Sequence, residues 1–164
     1  MPNRRVFTVM VLAAAVAILG TGLLRAQQAA STTKLTTQDY ADIQQLYARY
    51  NLAIDTGDGE GWASMFTPDG VFNTNTKGHD ALVQFVRDWR GKRNGANRRH
   101  WNSNLVITPT AEGANGSVYL VLLDIGVRPA VPALTAIYED RLVKTTAGWR
   151  FKSRIVHADP APTQ

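Results

Sequence analysis

The sequence contains no cysteine and only three histidines. Without cysteine the chain cannot form a disulfide or a thiolate zinc site, so a folded domain has to be stabilised by its hydrophobic core. The histidines, His79, His100 and His157, lie far apart and lack the paired spacing that is typical of metal ligands. We therefore expect no bound metal.

Motifs for the common cofactors are missing as well. The sequence has no glycine-rich phosphate loop, no Gly-x-Ser-x-Gly nucleophile elbow and no dinucleotide fingerprint. Positive charge is densest between Arg87 and Arg99, but no nucleic-acid-binding module accompanies it. We expect no cofactor and no nucleic-acid partner. This basic group is expected to be solvated; the alternative is a rim that attracts an anionic ligand or an anionic membrane surface.

Long uncharged runs are confined to the N-terminus. Arg4 and Arg5 precede the uncharged residues 6–24, and the small residue Ala26 follows them. This order is typical of a secretory signal peptide over residues 1–26, cleaved before Gln27, and predicts a periplasmic or secreted protein. The alternative is an uncleaved membrane anchor formed by residues 6–24. Cleavage would lower the formal net charge from +5 to +2, because residues 1–26 hold three arginines and no acid.

The length of 164 residues fits one domain, and its first part has a helical pattern. Residues 27–35 resemble a flexible lead-in, and Thr36 and Asp39 then form a capping signature. Apolar residues follow at three- and four-residue spacing, namely Ile43, Leu46, Tyr47, Tyr50 and Ile54. Next we expect a short helix over Trp62 to Phe66, a turn at 67–70, a short strand at 70–76 and a third helix from about His79.

From Arg98 onward the apolar residues recur with a period of two. This pattern predicts strands at 98–109, 116–126, 133–145 and 148–156, and an unstructured tail at 158–164. Helices followed by consecutive strands predict an α+β domain, with helices on one face of an antiparallel sheet. Strict alternation along the first long strand would place His100, Asn102, Asn104 and Val106 on one face.

Five segments, in order, resemble the SnoaL-like branch of the nuclear transport factor 2-like superfamily. They cover roughly residues 36–157 and read IQQLYARYNLAIDTGD, WASMFTPDGVF, GHDALVQFV, RRHWNSNLVI and YEDRLVKTTAGWRFKSRIV. The resemblance implies a curved antiparallel sheet that forms a cone, closed by three N-terminal helices over a cavity. Members of this family include lyases, isomerases, cyclases and non-catalytic subunits, and many are dimers through the outer sheet face. The fold alone therefore does not identify the reaction.

The resemblance also implies an acid–base pair, Asp55 and His100. In several lyases of the family a carboxylate late in the first helix meets a histidine at the start of a long strand. An imidazole is a competent base near neutral pH, and a carboxylate on one ring nitrogen fixes its tautomer. The alternative is that Asp55 caps a turn and His100 is a satisfied strand residue. Tyr50 is the third candidate catalytic residue, because related dehydratases present a tyrosine at that offset; otherwise it belongs to the core.

Candidate substrate-binding residues are less specific. Asn104 could orient a carbonyl group or satisfy a strand end, and Asp124 is either a second cavity acid or a solvated strand end. Arg154 stands where relatives often carry a basic residue, although alternation places it opposite Phe151. Aromatic side chains expected in the cavity wall, which is also the surface of the core, are Trp62, Phe66, Phe85, Trp89 and Tyr138.

An apolar, aromatic cavity suits a small hydrophobic molecule. The sequence therefore predicts an exported, cofactor-independent lyase (a dehydratase) or isomerase with a His–Asp pair. The alternative is a non-catalytic domain that binds a hydrophobic ligand or serves in assembly.

Overall fold

The structure is a computed structural model that describes residues 34–92 and 95–160. The predicted signal peptide or anchor lies outside the described residues, as do residues 27–33 of the predicted lead-in and residues 161–164 of the predicted tail. In the part of the chain that is described, no helix is both long enough and apolar enough to cross a membrane.

The two described segments contain three α-helices, a single 3₁₀ turn and six strands. The helices are α1 (Thr37–Thr56), α2 (Gly59–Ser64) and α3 (His79–Lys92), and the 3₁₀ turn is Gly95–Asn97. The strands are β1 (Phe66–Phe72), β2 (Thr76–Lys77), β3 (Arg98–Pro109), β4 (Ala114–Asp124), β5 (Val131–Thr145) and β6 (Gly148–Ala158).

Helix α1 is capped and fixed to the sheet by the same side chain. Thr36 Oγ1 accepts a hydrogen bond from the Asp39 N–H (3.2 Å), and the Asp39 carboxylate accepts one from the Thr36 N–H (2.9 Å). This carboxylate also accepts bonds from Lys144 Nζ (2.7 Å) and the Trp149 indole N–H (2.9 Å) on the β5–β6 hairpin. These bonds, that from Lys144 first, hold the pKa of Asp39 well below its usual range.

The strands form one sheet in the order β2-β1-β6-β5-β4-β3. The predicted α+β class is confirmed, and the predicted boundaries of the last four strands agree with the structure to within two residues. The sheet is curved but not wholly antiparallel, because β1 pairs with β6 in parallel. Strands β3 to β6 follow one another through short connections, which favour antiparallel pairs. Strands β1 and β6 are far apart in the sequence, so the chain between them is long enough for a parallel pair.

Irregular pairing changes which residues face the core. Strand β6 has a bulge where it pairs with β5. Arg141 pairs with Ser153 and Leu142 with Phe151, so Lys152 is an extra residue on β6. This bulge places Arg154 on the same face of the sheet as Phe151. The face of Arg154, which strict alternation left ambiguous, is thereby settled. The predicted turn at 67–70 is also part of an irregular strand, since Phe66 pairs with Phe151 and Val71 with Ser153.

A second bulge lies in β3. Ser103 pairs with Tyr119 and Val106 with Ser117, which leaves one extra residue on β3, and Asn104 adopts a positive φ of 58° there. The prediction that Asn104 and Val106 share the face of His100 is therefore wrong. The bulge shifts the alternation by one residue, so Leu105 packs against the core whereas Val106 is 60% exposed.

Candidate active site

A cavity of about 150 Å³ lies between α1, α3 and the inner face of the sheet. Most of its wall is aromatic or aliphatic, and the lining residues are Tyr50, Ile54, Phe72, Asn73, Phe85, Trp89, His100, Tyr138 and Val156. The volume is enough for a small ring-bearing molecule, below the roughly 300–1,000 Å³ of sites for drug-sized ligands.

Asp55 holds His100 at two points in the wall of this cavity. Asp55 Oδ1 lies 2.6 Å from His100 Nδ1, and Asp55 Oδ2 accepts the backbone N–H of His100 at 3.1 Å. Both side chains are buried, with 7% and 5% of their surfaces exposed. The contact arises because the last turn of α1 lies against the start of the edge strand β3, whose outward N–H has no strand partner. The two residues thus meet as the sequence placed them, and their catalytic role stays a prediction.

The tautomer of His100 follows from this contact. A carboxylate can only accept, so Nδ1 carries the proton that it donates to Asp55. In the neutral ring Nε2 is then the basic nitrogen, and it makes no hydrogen bond to the described residues. His100 is thus arranged as a base beside a small cavity.

Arg90, on α3, contacts Asp55, the acidic partner of His100. Arg90 Nη1 donates to the carbonyl oxygen of Asp55 at 2.8 Å, which places a cation at the C-terminal end of α1. Gly57, which ends α1 with φ +80°, leaves room for it, since a Cβ there would lie 2.0 Å from Arg90 Cδ. Arg90 was predicted only as part of a solvated basic group. Sequence reasoning missed this role, because the contact joins residues 35 positions apart.

Two other members of the basic group, Lys92 and Arg98, are paired with acids. Lys92 Nζ lies 3.0 Å from Asp88, and Arg98 Nη1 lies 2.5 Å from Asp124. Asp124 also accepts the N–H of Gly126 at 2.8 Å, and its pKa is lowered mainly by the bond from Arg98. It is therefore a paired residue at a strand end and not a cavity acid, which corrects one of its two predicted roles.

Tyr50 lines the cavity and also belongs to the core, which are the two locations predicted for it. Its side chain is fully buried, and its ring centroid lies 5.1 Å from that of Trp62. The hydroxyl is buried without a hydrogen-bond partner. Burial raises the pKa of Tyr50 to about 12, so the phenol stays protonated at neutral pH. Because the oxygen is closed off, the ring and not the hydroxyl forms the wall.

The other predicted aromatic residues divide into two groups. Phe85, Trp89 and Tyr138 line the cavity, and the Trp89 and His100 ring centroids are 6.1 Å apart. Trp62 and Phe66 do not line it; they form the core behind it, with ring centroids 5.1 Å apart. The prediction that these two bind substrate is therefore replaced by a packing role.

Arg154 lies behind the cavity wall and not in it. Its guanidinium carbon is 4.1 Å from the Tyr50 ring centroid and 4.2 Å from that of Tyr138. Burial opposes its charge, but attraction to Asp140 outweighs burial and raises the pKa of Arg154 well above its ordinary value. Arg154 thus supports the two tyrosines, and the predicted direct contact with substrate is not what the geometry provides.

Asn104 is also outside the cavity. It lies in the β3 bulge and lines a separate groove with Asn51 and Asn102. Asn51 Nδ2 donates to Asn102 Oδ1 at 2.5 Å, so the groove is lined in part by amides that bond to one another. The predicted role of Asn104 in orienting a carbonyl beside His100 is therefore wrong. The bulge in β3 is the reason, as it was for the predicted face of Asn104.

Sequence reasoning missed four lining residues: Ile54 as a wall residue, Phe72, Asn73 and Val156. Ile54 was assigned to the helical stripe, which is also the cavity surface. Asn73 had no recognisable signal, since it lies within a polar NTNT run in the segment predicted as a strand. Within residues 34–92 and 95–160, no three acidic or histidine side chains are arranged to hold a metal ion.

A larger depression, of about 400 Å³, lies on the outer face of the sheet near Val106, Ser117 and Ile155. It contains no histidine and no buried acid–base pair among its lining residues. Chemistry therefore favours the smaller cavity as the candidate site.

Comparisons with known proteins agree with this architecture. A family model described as the SnoaL-like domain matches residues 36–155. No curated protein matches the chain. A protein of unknown function with a cystatin-like fold from Nostoc punctiforme is 25% identical, with a TM-score of 0.71 over 79% of this chain and 97% of its own.

Two further solved structures are similar. An NTF2-like protein with a cystatin-like fold from Novosphingobium aromaticivorans is 21% identical, with a TM-score of 0.66 over 73% of this chain and 80% of its own. A protein from Catenulispora acidiphila, solved in complex with S-DNPA, is 29% identical, with a TM-score of 0.66 over 75% of this chain and 95% of its own. The SnoaL-like match and the neighbour solved with a bound ligand point to small-molecule binding or catalysis. Since the SnoaL-like domain model matches residues 36–155, the chain belongs to the SnoaL-like family, and its fold is that of the NTF2-like neighbour.

Proposed function

We propose that this protein is a cofactor-independent lyase or isomerase that acts on a small hydrophobic substrate, with His100 as the base and Asp55 as its orienting partner. One observation carries the proposal: His100 is bonded through Nδ1 to the buried Asp55, and its Nε2 is unbonded in the wall of an aromatic cavity. Such a base contributes about 10²- to 10⁴-fold to the rate of proton transfer.

The chemistry starts with a substrate that has a C–H bond next to a carbonyl group. His100 Nε2 takes the proton, and the C–H electron pair forms an enolate. In a dehydration the enolate expels a β-hydroxyl group, which leaves as water with the proton returned by His100. In an isomerisation the imidazolium returns the proton to another carbon. Asp55 stabilises the imidazolium in both cases. Tyr50 is not needed as a proton donor, since His100 both takes and returns the proton.

The test uses His100→Ala with His157→Ala as its matched control. His157 is an exposed histidine on β6 that bonds to Glu139 (3.1 Å) and lies outside the cavity. A panel of small cyclic β-hydroxy ketones is incubated with each protein in deuterated buffer, and water loss and deuterium uptake are followed by mass spectrometry. We expect activity in the wild type and in His157→Ala, and none in His100→Ala. Full activity in a folded His100→Ala variant would refute the assignment.

Binding without reaction is the alternative function. The Catenulispora protein was solved in complex with S-DNPA, which supports small-molecule binding as a function of this fold. If the wild-type protein binds members of the ketone panel but gives neither water loss nor deuterium uptake, the cavity serves in binding and the enzyme proposal fails.

We also propose export, on the basis of the charged start and uncharged run of residues 1–26. The N-terminal sequence of the protein recovered from cells tests it. A mature chain that begins at Gln27 is expected, and an intact N-terminus in the membrane fraction would instead support the anchor.

A homodimer through the outer face of the sheet is a further proposal. The large apolar side chains exposed on that face include Trp101 (65%), Tyr119 (51%) and Val106 (60%). Light scattering is expected to give a dimer for the wild type and a monomer for Tyr119→Lys. A monomeric wild type at high micromolar concentration would exclude the dimer.

A further inference from the structure

Asn73 is held in one orientation by two hydrogen bonds to β6. It follows β1 directly and adopts a positive φ of 54°. Its backbone N–H donates to the carbonyl oxygen of Arg154 at 2.7 Å, and its side-chain Oδ1 accepts the backbone N–H of Val156 at 3.0 Å. Asparagine tolerates this left-handed backbone better than most residues. Backbone and side chain are thus fixed together.

The bond to Val156 also decides which end of the amide is free. A backbone N–H can donate only to the oxygen of an asparagine side chain, so the assignment of Oδ1 and Nδ2 follows from chemistry. Nδ2 is the remaining end, with two N–H donors and no hydrogen bond to the described residues. Asn73 lines the same cavity as His100.

Sheet topology keeps Asn73 and His100 apart within that cavity. His100 is on β3, the strand at one edge of the sheet, whereas Asn73 follows β1, the next-to-last strand at the other side. Curvature of the sheet brings both to one cavity. A ligand between them would meet a neutral donor from β1 and a base from β3.

Other polar groups in the wall are less suited to this task. The Tyr50 hydroxyl and Trp89 Nε1 are both buried without partners, and a Cβ on Gly95 would lie 2.4 Å from that nitrogen, so the 3₁₀ turn covers it. Tyr138 also lines the cavity, but no hydrogen bond fixes its O–H direction. Asn73 is the donor whose direction is set in advance.

We propose that Asn73 Nδ2 donates a hydrogen bond to an oxygen acceptor of the ligand, so that the cavity selects a small ring-bearing molecule with a carbonyl group over the corresponding hydrocarbon. This inference deepens the proposed function and rests on the same cavity. In the proposed reaction Asn73 would hold the carbonyl oxygen, where charge accumulates as His100 removes the neighbouring proton.

The test compares two probes of nearly equal shape, 1-indanone and indane, by equilibrium binding to the purified protein. Asn73→Asp keeps an acceptor for the Val156 N–H and tolerates the same backbone, but replaces the donor. We expect the preference for 1-indanone over indane to fall roughly three- to tenfold in this variant, the value of one hydrogen bond. Asn73→Gly, which suits a positive φ and also lacks the donor, should show the same fall. Asn104→Gly, the same exchange at a positive-φ asparagine outside the cavity, should keep the wild-type preference.

The outcomes separate this inference from the enzyme proposal, because no step in the test needs turnover. Equal loss of affinity for both probes in Asn73→Asp and Asn73→Gly would show a purely structural role and overturn the inference. An unchanged preference in these variants would also overturn it, as would an equal fall in Asn104→Gly. If the wild type binds neither probe, the inference fails, whereas the enzyme proposal is still decided by turnover of the β-hydroxy ketone panel. Loss of activity in His100→Ala with no effect of Asn73 on preference would refute only the inference.

Discussion

Asp140 and Arg154 form a doubly hydrogen-bonded ion pair in which neither side chain is exposed to solvent. Arg154 Nε donates to Asp140 Oδ1 and Nη2 to Oδ2, both at 2.7 Å. The Tyr47 hydroxyl also donates to Asp140, and burial is the main reason that the pKa of Tyr47 is raised. The pair joins β5, β6 and α1 directly behind the cavity wall.

Removal of one member of this pair should be costly. Arg154→Ala would leave a buried carboxylate without its counter-ion, and we expect a loss of about 3–5 kcal/mol in the free energy of unfolding. Arg141→Ala is the matched control, because Arg141 lies on the same sheet with 72% of its side chain exposed. Urea unfolding measures both variants. A loss for Arg154→Ala no larger than that for Arg141→Ala would show that the pair does not stabilise the fold.

Asp55→Asn tests whether the carboxylate orients His100. The amide can still accept the backbone N–H of His100, but its NH₂ group favours the wrong ring tautomer. We expect turnover of any substrate found in the ketone panel to fall roughly 10²- to 10⁴-fold, with a much smaller change in probe binding. Asp58→Asn is the control, since Asp58 caps α2 by accepting the Gly61 N–H at 2.8 Å. Equal activity of the two variants would exclude the orienting role.

Asn104 gives a prediction about the bulge in β3. A β-branched residue is strained at its φ of 58°, so Asn104→Val should lower the free energy of unfolding by about 1–3 kcal/mol. Asn104→Gly should be close to neutral, because glycine adopts a positive φ without strain. Both variants, once folded, should bind 1-indanone as the wild type does, since Asn104 lies outside the cavity. Weaker binding of 1-indanone by folded Asn104→Gly would instead show that Asn104 contributes to the ligand site.

The same bulge shows where sequence reasoning stopped. Periodicity located the four long strands, and the resemblance placed Asp55 against His100, because both signals depend on residue order and spacing. Asn104 and Arg154 were misplaced or left ambiguous, since one extra residue in a strand reverses the facing of all that follow. Asn73 was missed because its value depends on bonds to Arg154 and Val156, which no local pattern encodes.

The capping residue Asp39 gives a prediction for acid stability. Its pKa is lowered in the folded protein, chiefly by Lys144, so its charged form stabilises the fold above the unfolded-state pKa of about 4. That contribution is lost as the pH falls from about 4 towards the lower folded-state pKa. Asp39→Asn should therefore be less stable at pH 7, and its unfolding free energy should depend less steeply on pH below about 4.

Asp42→Asn is the matched control for this experiment. Asp42 is a partly exposed acid on the same helix, and its side chain accepts a hydrogen bond from Gln38 at 2.7 Å. Urea unfolding of both variants and the wild type at pH 7, 4 and 3 gives the pH dependence of the free energy of unfolding for each protein. The difference between wild type and Asp39→Asn should shrink as the pH falls, whereas Asp42→Asn should run parallel to the wild type. A constant difference for Asp39→Asn across this range would show that the charge of Asp39 does not link α1 to the β5–β6 hairpin.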